Sequence, residues 1–122
     1  MRRWLWGLLL LAACRPAPAP AHRAASVPNT LVLVGPAGAA AVLFRVVGPM
    51  DSAQPFAATM GEFRLRGDTL DGAAFGDLGQ AFGVIWSPAD AVLAPTVRDV
   101  AGRPDYAPRD TTLYHLTFVR RP

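Results

Sequence analysis

Lysine is missing from this sequence: its 122 residues carry twelve basic side chains, all arginine, against nine acids. Chemistry that needs a Lys amine, such as a Schiff base, is therefore excluded. Cysteine occurs once, at Cys14, so no disulfide can close within the chain. Histidine occurs only at His22 and His115, which leaves few donors for a zinc or copper site, since these use several His or Cys ligands. The N-terminal apolar stretch from Trp4 to Ala13 is ten residues long. Roughly 20 are needed to cross a bilayer as a helix, so this stretch is not expected to be a permanent span.

The formal charge of +3 is also unevenly placed. From Cys14 onward ten Arg face nine acids, and from Asn29 onward eight face nine. The basicity belongs to the N-terminal segments, and the remainder lacks the basic footprint of a nucleic-acid binder. No nucleic-acid partner is expected.

What is present at the N-terminus is ordered by function. Arg2 and Arg3 precede the apolar run, and small residues follow it up to Cys14. A charged start, a short apolar core and a small-residue end are the layout of a secretory signal, expected over residues 1–13. The Arg pair lacks the wider pattern of a twin-arginine signal, and two charges suffice for general export.

Leu11-Ala12-Ala13-Cys14 resembles the lipobox of bacterial lipoprotein precursors, a resemblance confined to the first fourteen residues. It implies a diacylglyceryl group on the Cys14 sulfur and cleavage just before Cys14, which becomes an acylated N-terminus. Two acyl chains hold a protein stably at a membrane, each buried methylene contributing about 0.8 kcal/mol. The resemblance also implies a cell-envelope location. Arg15, where Asp would favour inner-membrane retention, points to the outer membrane if the organism has two.

Residues 14–28 read as the lipidated cysteine and a tether. Pro16, Pro18 and Pro20 fix backbone angles and remove amide donors, favouring extended polyproline geometry. At about 3.1 Å per residue, such a spacer reaches roughly 40 Å. His22 lies within it and reads as solvated linker.

Residues 29–122 are expected to form a single small β domain. Thr30–Val34 and Ala41–Val47 are β-branched and apolar, separated by Gly35-Pro36-Ala37-Gly38, and together predict a hairpin. Gly61–Arg66 alternates, with Glu62, Arg64 and Arg66 on one side and Phe63 and Leu65 on the other, as a half-buried strand does. Ala81–Trp86 and Thr111–Val119 are further strand candidates. Ser87-Pro88-Ala89-Asp90 carries capping signals for a short helix near 88–94. Residues 95–110, with Pro95, Gly102, Pro104 and Pro108, read as loop. The expected fold is all-β, a small antiparallel β-sandwich or barrel of about five to seven strands.

Candidate chemistry is sparse. Ser52 or Ser87 with His115 and an Asp makes a triad arithmetically possible, but no nucleophile elbow surrounds either serine. Asp68, Asp71 and Asp77 lie among glycines at spacings of three and six, which fails the alternate-position pattern of a calcium loop. Arg66-Gly67-Asp68 spells a tripeptide that integrins recognise, yet Gly and Asp are the ordinary residues of a turn. Gly76, Gly79 and Gly83 match no phosphate-cradling loop. Trp86, Tyr106, Tyr114 and Phe118 offer material for a binding platform or for the core.

No catalytic residue, metal or cofactor is expected from this inventory. The leading expectation is a non-enzymatic envelope lipoprotein that binds an envelope protein or cell-wall polymer, or supports an envelope assembly. His115, Trp86, Asp68 and Asp71 are the candidates for its binding surface, and Cys14 for lipidation. The alternatives are a carrier or sensor of a small apolar ligand inside a β-barrel, a compact hydrolase or metal-dependent enzyme using His115 with Asp, and an inhibitor of an envelope enzyme.

Overall fold

A computed structural model describes residues 25–120. Cys14, the signal expected over residues 1–13 and His22 lie outside the described residues. Among those described, strands run in the order β1 (Ser26–Val34), β2 (Ala39–Val47), β3 (Ser52–Pro55), β4 (Met60–Arg66), β5 (Thr69–Phe75), β6 (Gly83–Pro88), β7 (Ala94–Gly102), β8 (Ala107–Pro108) and β9 (His115–Arg120). One 3-10 turn, Thr111–Leu113, precedes β9. The strands form two sheets, ordered β3-β6-β1-β9 and β4-β5-β2-β7-β8, and every pairing is antiparallel. The fold is a small β-sandwich.

Alternation along the strands builds the core. Leu31 and Leu33 of β1 point inward with Val42, Phe44 and Val46 of β2, Leu70 and Ala74 of β5, Ile85, Val100 and Leu116. Phe44 is the centre of this layer. Its ring meets Phe63 edge-on at 5.3 Å and Phe82 at 6.0 Å. It lies over Gly72, its register partner on β5, where an added Cβ would stand 2.2 Å from the ring. Only glycine leaves room there.

Several sequence expectations change. The predicted hairpin over 30–47 does not form: β1 pairs with β6 and β9, while β2 pairs with β5 and β7. Gly35–Gly38 instead carries the chain from one sheet to the other. No helix forms near 88–94, because Ser87 and Pro88 continue β6. Ser87 is fully buried and its hydroxyl accepts a 2.8 Å hydrogen bond from Asn29 Nδ2, so it caps nothing.

The region 95–110 is mostly strand, with β7 spanning nine residues. Pro95 fits because β8 pairs only with Ala101 and Gly102, leaving β7 an open edge at its start. The first strand begins at Ser26, three residues before the expected domain start. Pro28 is accommodated there because β9 joins β1 only from Asn29 onward. Thr111–Leu113 is a 3-10 turn rather than strand, held by Asp110, whose Oδ1 accepts from Thr112 N at 3.0 Å and Thr112 Oγ1 at 2.7 Å.

Candidate functional site

Strand register converts the sequence into two outward faces of opposite character. On the five-stranded sheet, residues directly opposite one another project to the same side. Met60, Phe75, Ala41 and Ala101 form one outward row, and Glu62, Ala73, Leu43 and Asp99 the next. Arg64, Asp71 and Arg45 form a third row, with Thr96 beyond. This face passes from apolar to charged within about 7 Å along the strands.

Within the charged row Arg45 and Asp71 pair with each other, and Arg64 pairs with Glu62 of the next row. Arg45 Nε donates to Asp71 Oδ1 at 2.8 Å and Nη2 to Oδ2 at 3.3 Å. That hydrogen bonding holds the Asp71 carboxyl below its ordinary range, aided by the charges of Arg45, Arg98 and Arg66. The same bond, with the Asp71 charge, raises Arg45. Arg64 Nε is taken by Glu62 at 2.8 Å.

Leu43 sits 46% exposed at the middle of this face. The register slips between Leu43 and Phe44, so that Leu43 faces Asp99 while Phe44 faces Val97, leaving Arg98 as the extra residue of a bulge. Open hollows surround Leu43. One of about 210 Å³ is lined by Ala41, Val42, Leu43, Phe75, Asp99 and Ala101. Another of about 440 Å³ is lined by Leu43, Phe44, Asp71, Gly72, Arg98 and Asp99.

The four-stranded sheet presents a different outer face. Its rows are Ser52, Trp86 and Pro28, then Gln54, Val84, Thr30 and Val119, then Val32 with Thr117, and finally Val34 with His115. No Asp, Glu or Arg appears in these rows. Trp86, Val34 and Val119 are exposed at its margins, while Thr30 and Val84 at its centre are 5% and 7% exposed.

The expected binding-surface residues do not converge. Trp86 and His115 share the uncharged face, but their rows are six residues apart on β1, roughly 20 Å at about 3.3 Å per residue. Asp71 projects from the other sheet, in the opposite direction. Asp68 lies in the two-residue turn between β4 and β5, where Gly67 takes φ +57°, the positive value that hairpin turns require. The Arg66-Gly67-Asp68 tripeptide is thus the end of a hairpin. Ser87 faces inward and His115 outward, so the fold does not assemble them. Among the described residues no group of three or more His, Asp or Glu is placed to hold a metal ion.

Tyr114 and Phe118 pack with the core and Tyr106 lies between β7 and β8, so the aromatics form no common platform. Tyr114 instead anchors Arg109, whose Nη1 donates to Tyr114 Oη at 3.0 Å and to the Ala37 carbonyl at 2.9 Å. The Arg109 guanidinium lies in the space where Gly102 has no Cβ. Arg109 thereby ties the crossing loop after β1 to the segment before β9.

Leu43, Phe75, Arg98 and Asp99 were not singled out from the sequence. Arg98 and Asp99 were hidden because Pro95 and the bulge break the two-residue alternation of β7. Leu43 was visible only as one member of an apolar run.

The class this architecture defines is an all-β, two-sheet sandwich with unlike outer faces. Comparison with family models, with curated proteins and with solved structures found no match to this chain.

Proposed function

We propose that this chain is an exported lipoprotein, anchored through Cys14, whose sandwich is a binding or assembly module for an envelope protein or cell-wall polymer. The observation that carries the binding role is the outer face of the five-stranded sheet. There an exposed Leu43, flanked by hollows, stands between an apolar row and a row of paired charges. An apolar centre with a polar, charged margin is how protein recognition surfaces are built. The separation of His115 and Asp71 onto opposite faces weighs against an enzyme that would use both. The side chains filling the space between the sheets weigh against a carrier with an internal ligand cavity.

Crosslinking in cells followed by pull-down tests the binding role. Leu43→Arg together with Phe75→Ser should lose the captured partner while the fold, read by circular dichroism, is retained. Undiminished capture by that variant removes this face from the proposal. Anchoring is tested separately: Cys14→Ser should abolish incorporation of labelled fatty acid, and continued labelling would overturn the lipoprotein reading.

A further inference from the structure

The outer face of the five-stranded sheet is complementary to itself. We infer that it receives the same face of a second copy of this chain, in a twofold pair whose axis runs along the strands between β2 and β5. This rests on the proposed function, because it names the partner of the surface around Leu43.

Strand register gives the match. Rotation about that axis turns the sheet over but keeps each row level with itself, so β2 of one copy lies over β5 of the other, and β4 over β7. Along the central strands Ala41 meets Phe75, Leu43 meets Ala73, Arg45 meets Asp71 and Val47 meets Thr69. Two of these matches set a large apolar side chain over alanine and one sets a cation over an anion. Each occurs twice, as a twofold interface requires. Along the outer strands Met60 meets Ala101, Arg64 meets Thr96 and Arg66 meets Ala94. Glu62 and Asp99 meet as like charges at the rim, where Arg64 holds Glu62 at 2.8 Å and Arg98 stands beside Asp99 in the bulge.

Burial and charge act together here. Leu43, Val47, Met60 and Phe75 are all exposed on this face of the single chain, and covering them removes apolar surface from water. Arg45 and Asp71 are already joined within each copy at 2.8 Å. Across the axis the two pairs lie head to tail, so four charges alternate round a ring and each gains a second partner of opposite sign. Charge patterns of this kind fix register and exclude wrong partners.

Size sets the strength of the pair. Four strands about 4.8 Å apart and four rows about 6.6 Å apart cover roughly 20 Å by 20 Å, or about 400 Å² on each copy. About 800 Å² in all falls below the standard size of stable complexes and within the range of transient ones. The pair is a weak, reversible dimer, which closes on itself and leaves the four-stranded sheet uncovered.

Photo-crosslinking of the full chain in cells tests this. p-Benzoylphenylalanine replaces Leu43 in one strain and Phe75 in a second, each beside a differently tagged second copy. The expected product runs at dimer mass. Mass spectrometry should place the attachment around Ala73 from the Leu43 position and around Ala41 from the Phe75 position. Arg45→Asp or Asp71→Arg in both copies should lower the yield about tenfold, because like charges then meet twice across the axis. Arg45→Asp in one copy with Asp71→Arg in the other should restore it, with the fold of each variant read by circular dichroism. A dimer-mass product attached elsewhere, insensitive to the reversals or not restored by the mixed pair would overturn the inference. Crosslinks to another protein alone would overturn it too, yet leave this face a recognition surface for that protein. No crosslink from either position would remove the pair and the recognition surface together.

Discussion

The outer face of the four-stranded sheet bears no charged side chain in its rows, whereas that of the five-stranded sheet carries Glu62, Arg64, Asp71, Arg45 and Asp99. Both faces hang from the same core, and each contains a nine-residue inner strand, β1 in one sheet and β2 in the other. The difference teaches that a sandwich of this size assigns its two surfaces independently. The inner positions are fixed by packing, and the outer ones are free to follow what each surface meets.

The most damaging change to both faces together should be Phe44→Ala, which empties the centre of the shared core. Loss of a buried aromatic costs about 3–5 kcal/mol, against a total stability of about 5–15 kcal/mol for such a domain. Chemical denaturation should show one cooperative transition moved to much lower denaturant. Two separate transitions would mean that the sheets do not share one core.

Charge placement separates the faces next. Val84→Asp on the uncharged face puts a carboxylate at a 7% exposed position and should cost about 2–4 kcal/mol. Leu43→Asp on the charged face, at a 46% exposed position, should stay within about 0.5 kcal/mol. Equal costs in urea unfolding would erase the contrast.

A smaller effect belongs to the four-stranded sheet alone. Asn29 donates to Ser87 Oγ at 2.8 Å and to the Ile85 carbonyl at 3.3 Å. Asn29→Ala strips both acceptors of their donor inside the protein and should cost about 1–3 kcal/mol. Faster amide exchange in β1 and β6, with β4 and β5 unchanged, is the expected signature.

The smallest effect lies on the charged face. The Asp71 carboxyl is held low chiefly by its hydrogen bond to Arg45, and that of Asp110 by its bonds to Thr112. Because the folded state favours their ionised forms, this stabilisation is present above the unfolded carboxyl range. It is lost as pH falls through the depressed folded values. Asp71→Asn should therefore flatten the acid side of a stability–pH profile while leaving Asn29-dependent protection untouched. An unchanged acid limb would show that the pairing contributes nothing measurable.

Regular alternation made part of this fold legible in advance. Gly61–Arg66 declared its two sides through Phe63 and Leu65 against Glu62, Arg64 and Arg66, and β4 follows that division. Where alternation is broken, the sequence misleads. Pro95 and the bulge at Arg98 disguised β7 as loop, and Pro28 disguised the start of β1 as tether. Both prolines sit where a neighbouring strand is absent, a circumstance only topology reveals. Ser87 carried a capping signal because the local pattern is silent about Asn29, its partner 58 residues away. The surface around Leu43 was illegible for the same reason: its rows are assembled from four strands, and each contributes one or two residues.

The ends of the two sheets bear on how the molecule behaves in company. An open sheet edge invites another chain to add a strand, the first step of aggregation. Here β3 is four residues long and ends at Pro55, and β8 is two residues long and also ends in proline. The longer edge β4 alternates Glu62, Arg64 and Arg66, and β9 closes with Arg120. The open start of β7 is interrupted by Pro95 and by the bulge at Arg98, so each of these edges, among the described residues, is short, charged or irregular where another chain would add a strand.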